Sequence, residues 1–383
     1  MKFTWCLGIA GHKNYNGIQA SFLSANGDLM CESGLHAFFP YPAALKREME
    51  SARQYYSLSA PTDKKSWEHL DKEITNWSLQ IAKVLIEKTR RNPDLIGYGG
   101  QSLGLECLPR LKGENLGSAS FLQAKLKKPL ISHFQARDMV NGGTGRFLEA
   151  SYFQMLVRRA IKEEALKKDA QVAIVDLQEV AQVVLIHPAK DPVAFEAGPG
   201  TSLAREIMQR LFQVPDDEYG QVATRGSVHS AWVNKFLKQC DAPVVATQRC
   251  DLSAYRHCIE KGLTLLTPLD CMATLSTFSA QLLVKNIQHF EENVQALILT
   301  DPSAQNLFFK TQLSRFFPVL TFKDLNWNSD FLESEQCAFN ALRVFNHRPI
   351  SFPTTTGVAQ PLSSGVLSLH LGAENPDLLK AAA

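Results

Sequence analysis

Residues 193–201 read VAFEAGPGT, a short strand-like run that turns through Gly198-Pro199-Gly200 into a predicted helix. A turn of this kind places backbone N–H groups at a helix N-terminus, here beside the carboxylate of Glu196. An ordinary helix start with Thr201 as its cap has the same pattern. On this stretch alone the ordinary helix start is the simpler interpretation. Only motifs elsewhere in the chain can distinguish it from a phosphate-binding turn.

Strand and helix patterns alternate on both sides of this turn. Short apolar runs predict strands at 3–9, 18–23, 94–100, 172–177, 183–186 and 296–301, and Asn26-Gly27-Asp28 is a hairpin signal leading into a third strand after the first two. Apolar residues at helical spacing predict helices at 64–91, 147–168, 201–212, 229–238, 273–290, 305–316 and 333–346. The order of strands and helices repeats along the chain, which predicts an α/β protein with two related halves.

Composition narrows the class of protein. The chain has 383 residues, of which 45% are hydrophobic and 20% charged, with a formal charge of +2. This balance is typical of a soluble protein with room for two domains, and it argues against nucleic acid or an anionic membrane as the main partner. The N-terminus, MKFTWCLGIAG, lacks the long apolar region of a secretory signal, and no apolar run is long enough to predict a membrane helix.

The eight cysteines are scattered and none forms a CxxC pair. This usage predicts reduced thiols in a cytoplasmic protein rather than disulfides or zinc ligands. The histidines likewise show no metal-ligand spacing, so we expect no metal site built from side chains of this kind.

Seven short motifs carry a resemblance that spans nearly the whole chain. In order they are IGYGGQS (96–102), ARDMVNGGTGRFL (136–148), FEAGPGT (195–201), DEYGQVATRGSV (217–228), ATQR (246–249), DCMATLSTFSA (270–280) and FPTTTGV (352–358). Each motif is weak singly. Together, in this order and spacing, they resemble the anhydro-N-acetylmuramic acid kinases, a bacterial family of the actin-like ATPase superfamily.

The resemblance implies an α/β fold of two actin-like (ribonuclease H-like) lobes with an interlobe cleft. We expect an N-terminal lobe from residues 1–135 plus 353–383 and a C-terminal lobe from residues 136–352. The family uses Mg-ATP to open the anhydro ring of anhydro-N-acetylmuramic acid and phosphorylate the sugar during peptidoglycan recycling in the cytoplasm. Its members are commonly dimers, so a homodimer is expected by resemblance.

The resemblance also implies roles for particular residues. Glu196 occupies the position of the family's general base, an Asp that activates water. The residues expected at the nucleotide are Gly11, His12, Lys13, Asn16, Gly17, Gly198, Gly200 and Ser303. Those expected at the sugar are Gly100, Gln101, Arg137, Asp138 and Arg249. The two arginines suit a sugar carboxylate, although Arg137 and Asp138 could equally form a structural ion pair.

The sequence departs from the family mainly at the phosphate loops. In GIAGHKNYNG (8–17), Asn16 replaces an Asp that helps to organise Mg²⁺, and a lost carboxylate weakens a site for a hard cation. In DLQEVAQ (176–182), Gln178 and Glu179 replace two glycines that let the backbone approach a phosphate. In LTDPSAQ (299–305) three glycines are replaced, and in FLESEQ (331–336) only Glu335 is kept.

Three interpretations stay open at this point. The chain is a family member whose ATP phosphotransfer is lost or much weakened, with a binding or regulatory role. Alternatively, it is an active sugar kinase that holds ATP differently, with His12 and Lys13 at the phosphates and Glu196 as base. The third alternative is a non-catalytic scaffold or regulatory partner.

Overall fold

The computed structural model describes residues 4–25, 31–57, 64–106, 112–240, 244–291 and 293–369. The expected hairpin at Asn26-Gly27-Asp28 lies outside these residues. Contacts divide the chain into two compact units. Unit 1 contains residues 1–155 and 330–383, and unit 2 contains residues 156–329.

Strands and helices follow the alternating order that the sequence predicts. The strands are β1 (Thr4–Gly11), β2 (Gly17–Ala25), β3 (Cys31–Pro40), β4 (Leu95–Glu106), β5 (Lys112–Leu116), β6 (Leu130–Ser132), β7 (Val172–Leu177), β8 (Ala181–Ile186), β9 (Val193–Glu196), β10 (Ala296–Leu299), β11 (Val319–Thr321) and β12 (Val366–Ser368). The helices are α1 (Ala43–Ser57), α2 (Lys64–Thr89), α3 (Ala119–Leu126), α4 (Phe134–Val140), α5 (Ala150–Lys162), α6 (Ser202–Ile207), α7 (Gln221–Thr224), α8 (Ser230–Gln239), α9 (Arg256–Leu265), α10 (Pro268–Phe290), α11 (Asp301–Ala304), α12 (Leu307–Leu313) and α13 (Leu332–Phe345).

The two units have sheets of the same topology. In unit 1 the order is β12-β6-β4-β1-β2-β3, with β5 paired to β4, and in unit 2 it is β11-β10-β7-β8-β9. In each, the first three strands form an antiparallel meander and the next strand pairs parallel to the first. This repeated order confirms the prediction of an α/β fold with two related halves.

The unit boundaries differ from the expected lobes. Residues 136–155 and 330–352, which we expected in the C-terminal lobe, pack in unit 1. The reason is helix α13, which lies directly on the sheet of unit 1. Gly8 and Gly97 permit this approach, because a Cβ at either position would come within 1.9 Å and 2.4 Å of backbone oxygens of the helix.

Unit 2 is organised around strand β7 and helix α10. β7 is almost wholly buried and rich in β-branched residues, as expected for the central strand of a covered sheet. α10 begins at Pro268 with Thr267 as N-cap, and most of its side chains are buried, so it forms the core of this unit. Among the described residues no helix combines the length and apolarity that crossing a membrane requires.

Candidate functional site

The β1–β2 turn is closed by its own backbone. His12 N donates to Gly17 O at 2.9 Å, and Gly11 ends β1 against the side chain of Gln101. Gln101 is 1% exposed, and its amide donates to His12 O at 3.3 Å. Gln101 therefore holds this turn in place, and it brings a residue expected at the sugar together with two expected at the nucleotide.

Two residues expected at the phosphates have partners within unit 1. Lys13 N donates to Glu333 Oε1 at 3.3 Å, which sets a carboxylate beside this turn. Asn16 Oδ1 accepts from Lys46 Nζ at 2.9 Å. The amide that replaces the family's magnesium-organising Asp therefore faces a cation. Such a position suits a second cation poorly.

Arg137 and Asp138 have separate partners within unit 1. Arg137 donates to Gly365 O at 2.7 Å, which ties α4 to the segment before β12. Asp138 is fully buried, and its Oδ2 accepts from Gly145 N at 2.7 Å, which pins the following loop. Gly100, at φ +63°, lies in strand β4 immediately before Gln101. These residues shape unit 1. Among the described contacts, Arg137 and Asp138 form no bond with each other.

Glu196 is the last residue of β9 and is 6% exposed. Its Oε2 accepts from Cys250 N at 2.5 Å, a short charge-assisted contact. Cys250 follows Arg249, so this bond sets the segment with the candidate arginine beside the candidate base in unit 2. A buried carboxylate held in this way can act as a general base toward a group within hydrogen-bond reach.

The N-terminus of α6 is occupied by the β7–β8 turn. Thr201 N donates to Gln178 O at 2.8 Å, and Ser202 N donates to Pro199 O at 2.8 Å and to Glu179 O at 3.3 Å. Gly200, at φ +47°, makes the contact possible, because a Cβ there would lie 2.2 Å from Gln178 O. Gly198, at φ +131°, enters the same turn.

Thr201 is not a side-chain cap, because its Oγ1 donates to Gln178 O at 3.0 Å. Two backbone N–H groups at this helix start, those of Thr201 and Ser202, therefore donate to protein carbonyls.

The carboxylate of Glu179 is paired with an arginine within unit 2. Arg205, one helical turn after Thr201, pairs with Glu179 and donates from Nε to Asp216 Oδ1 at 2.6 Å. Burial lowers the pKa of Arg205, but the bonds to Asp216 and Glu179 outweigh it and raise the pKa. Glu179 therefore presents less net negative charge than the sequence suggests.

Ser303 is a structural residue of the β7–α11 junction. It is 2% exposed, its Oγ accepts from Leu177 N at 2.7 Å, and it contacts Asp176 Oδ1 at 3.1 Å. Thr300 Oγ1 donates to the same carboxylate oxygen at 2.9 Å. The carboxylate of Asp301 accepts from Ser329 Oγ, so this acid is also engaged.

A cavity of about 210 Å³ lies beside Ser303. It is lined by Leu177, Thr201, Ala204, Arg205, Asp216, Asp217, Glu218, Tyr219, Pro302, Ser303, Gln305 and Asn306. The lining contains three acidic residues, Asp216, Asp217 and Glu218, and one arginine, Arg205. This arginine is already paired with Asp216. The cavity therefore offers polar recognition to a neutral group but repels a polyanion.

Two of the positions expected at the phosphates already have protein partners. Asn16 faces Lys46, and the start of α6 is closed by carbonyls. A phosphate group at either position would have to displace existing partners.

Sequence reasoning missed several residues that define these loops. Arg205, Asp176 and Lys46 were not singled out, although each fixes a residue that was. Arg205 carried one available signal, because a cation one turn after a predicted helix start faces the acid-bearing loop that packs there. Lys46 lies 30 residues from its partner, so only the fold could reveal it.

Comparison with known proteins identifies the chain's relatives. The model of the anhydro-N-acetylmuramic acid kinase family matches residues 4–369. An anhydro-N-acetylmuramic acid kinase of Azorhizobium caulinodans is 26% identical over 370 residues, covering 94% of this chain and 98% of that protein. One of Pelagibacter ubique is 25% identical over 381 residues, covering 96% of this chain and 98% of that protein.

Solved structures give weaker similarity. Component A of (R)-2-hydroxyglutaryl-CoA dehydratase from Acidaminococcus fermentans has a TM-score of 0.40 at 9% identity, covering 89% of this chain and 98% of that one. The ROK hexokinase of Thermus thermophilus has a TM-score of 0.36 at 9% identity, covering 88% and 99%.

Proposed function

The chain belongs to the anhydro-N-acetylmuramic acid kinase family, and we propose that it binds the anhydro sugar while transferring phosphate from Mg-ATP weakly or not at all. Its role is then that of a sugar-binding or regulatory protein of kinase descent. In this proposal, the residues expected at the nucleotide by resemblance have mainly structural roles.

One observation carries the proposal. Thr201 N and Ser202 N at the start of α6 donate to the carbonyl oxygens of Gln178 and Glu179 in the β7–β8 turn, so these two N–H groups have partners without a phosphate. Phosphoryl transfer depends on positioned donors and cations around the transferred group. A loop that fills these positions with carbonyls, beside a cavity rich in acids, leaves little to hold a triphosphate.

The sugar-facing chemistry of unit 2 supports the first half of the proposal. Glu196 is buried at the end of β9 and is fixed by Cys250 N, while Arg249 is the adjacent residue. A fixed carboxylate can bond sugar hydroxyls, and an arginine can pair with a carboxylate such as that of a muramic acid. Glu196 is one methylene longer than the family's Asp, and a misplacement near 1 Å costs roughly 100-fold in rate.

Calorimetry with anhydro-N-acetylmuramic acid and no nucleotide tests this proposal. We expect the wild-type chain to bind the sugar, and Glu196→Gln to weaken binding about tenfold, equivalent to about 1.4 kcal/mol. Glu179→Gln is the matched control, because it removes an exposed carboxylate of the same unit and leaves Glu196 intact. Absence of sugar binding in the wild type overturns the proposal.

An active kinase with an altered nucleotide mode is the second candidate. The pairing of Glu179 with Arg205 favours it, since the negative charge of this carboxylate beside the α6 turn is then partly compensated. In this candidate Glu196 is the base and His12 and Lys13 serve the phosphates. Formation of a phosphorylated sugar from Mg-ATP would establish it, and a scaffold role would follow from binding of neither ligand.

We place the protein in the cytoplasm on the basis of its thiols and its family. Among the cysteines that the structure describes, Cys6, Cys240, Cys250, Cys258, Cys271 and Cys337 form no disulfide. A reducing compartment is where such thiols persist. A homodimer remains part of the proposal by descent, and its test is the mass in solution by light scattering.

A further inference from the structure

Three cysteines lie close together in unit 2, near Glu196. Cys240 follows α8, Cys258 lies in the first turn of α9, and Cys250 lies between them in sequence. The side chains of Cys240 and Cys258 are hydrogen-bonded to each other, and both pack against the core built on α10. None of the seven family motifs contains these positions, and the proposed function does not use the thiols.

The ends of the two helices are joined independently of the thiols. Gln239, the last residue of α8, contacts His257 through Oε1 and Nε2 at 3.1 Å. Cys240 directly follows Gln239, and Cys258 directly follows His257. Cys258 Sγ lies 3.3 Å from the same His257 Nε2. The chain therefore holds two thiols side by side between anchored helix ends.

We propose that Cys240 and Cys258 form a reversible intramolecular disulfide, with Cys240 as the attacking thiol and Cys258 as the resolving thiol. Cys240 is partly exposed, whereas Cys258 is buried. An external disulfide can therefore reach only Cys240 first. The buried Cys258 thiol already contacts Cys240, so it can then displace the group that Cys240 has acquired.

The acidities of the thiols agree with this division. The hydrogen bond from Cys258 lowers the pKa of Cys240 more than burial raises it, and Lys285 lowers it further. The same hydrogen bond raises the pKa of Cys258, and burial adds to the effect. Burial raises the pKa of Cys250 to about 11, with Glu196 adding to the rise, so Cys250 is the poorer nucleophile.

The reaction balances with a low-molecular-weight disulfide such as glutathione disulfide as oxidant. The Cys240 thiolate attacks one sulfur, a Cys240–glutathione bond forms, and one glutathione thiolate leaves. Cys258 loses its proton, its thiolate attacks the Cys240 sulfur, and the second glutathione thiolate leaves. The protein loses two protons and two electrons, and two molecules of glutathione take them up.

The bond would close a loop of residues 241–257 that contains Arg249 and Cys250. Cys250 N donates to Glu196, so the closed loop would restrain the backbone that fixes this carboxylate. The disulfide itself does not depend on the proposed function. Its effect on sugar affinity does rest on that function, and the two can fail separately.

Peptide mapping by mass spectrometry after treating the native full-length chain with glutathione disulfide tests the proposal. We expect a Cys240–Cys258 bond in the wild type and in Cys250→Ser, and reversal by a dithiol reductant. Cys240→Ser should lose the bond. The Cys250→Ser variant keeps the test independent of any folding defect in Cys240→Ser.

Three results would overturn the proposal: no reaction at Cys240, a Cys240–glutathione adduct that does not resolve, or a bond between Cys240 and Cys250. With the bond mapped, sugar calorimetry on the oxidised and reduced protein measures the coupling to Glu196. Unchanged affinity there removes the coupling and leaves the disulfide standing, whereas absence of binding in both forms counts against the proposed function instead.

Discussion

Ser303 shows how a residue expected at the nucleotide can belong to the framework. Its hydroxyl accepts from Leu177 N at 2.7 Å and is almost fully buried. Ser303→Ala leaves that N–H unsatisfied, and we expect it to lower the free energy of unfolding by about 1–3 kcal/mol. Urea denaturation followed by circular dichroism measures the loss.

Ser314→Ala is the control for this prediction. Ser314 Oγ donates a hydrogen bond to Lys310 O at 2.8 Å, in an exposed position. We expect a change of less than about 0.5 kcal/mol, as for a surface substitution. Equal effects of the two changes would mean that Ser303 has no special structural role.

Single residues also mark the limit of what the sequence could predict. The motif around Glu196 predicted an acid at the end of a strand, and the structure has it there at the end of β9. The ion pair of Glu179 with Arg205, which also bonds Asp216, could not be predicted, because no local pattern encodes how this helix packs against the turn. The same holds for Asn16 and Lys46.

At the scale of elements, the contact between the β7–β8 turn and the start of α6 depends on Gly200. Its φ is +47°, and a Cβ would lie 2.2 Å from Gln178 O and 2.8 Å from Ala181 N. Gly200→Ala adds overpacking to backbone strain, so we expect a loss of roughly 2–4 kcal/mol in unfolding free energy. Thermal denaturation of the purified variant measures it.

Gly142→Ala separates the two contributions. Gly142 has φ +86°, but nothing lies within 4 Å of a Cβ placed there. Only the conformational cost remains, about 1 kcal/mol. The interpretation of a closed α6 turn is contradicted if Gly200→Ala costs no more than Gly142→Ala.

Strand β3 and helix α13 are joined through His36. Its Nδ1 contacts Ser21 Oγ at 2.9 Å, its ring stacks on Phe331, and Nε2 lies 3.7 Å from the buried carboxylate of Glu335. Burial lowers the pKa of His36 below its ordinary value of 6.5, and the charge of Glu335 only partly opposes this. Ser33 Oγ completes the surroundings, bonding both His36 and Glu335.

The lowered pKa of His36 gives a prediction for stability against pH. Below about pH 6.5 the unfolded chain binds a proton that the folded chain resists, so this contribution to stability is full above that pH and is lost as pH falls. His36→Gln should flatten the acid side of the stability profile, measured by urea denaturation between about pH 5 and 8. His69→Gln, at an exposed histidine, is the matched control for the replacement of a histidine by glutamine.

Elements were predicted unevenly, for physical reasons. The strand 172–177 was predicted to the residue, because a short apolar run rich in β-branched residues favours a buried strand. The helix expected at 201–212 divides into α6 and a π-helical turn, Met208–Phe212, which apolar spacing alone does not distinguish. The strand expected at 296–301 ends at Leu299, because Pro302 and Asp301 begin a helix instead.

At the scale of the whole molecule, the α/β fold with two related halves was predictable, and the division of the chain between them was less so. The repeated alternation of strands and helices predicts two halves. It does not predict that α13 packs on the sheet of unit 1. That return depends on the smallness of Gly8 and Gly97, which lie far from α13 in sequence. The order of the motifs was enough to indicate the family. The hydrogen bonds of the phosphate loops could be seen only in the folded structure.

The central claim is that this chain retains the sugar chemistry of its family and has lost most of its phosphotransfer. The most direct test measures phosphorylated sugar formed from Mg-ATP and anhydro-N-acetylmuramic acid, with the Azorhizobium caulinodans relative assayed in parallel. We predict a rate at least about 100-fold below that relative, in keeping with misplaced groups at the phosphates. A rate within about tenfold of the relative would contradict the claim.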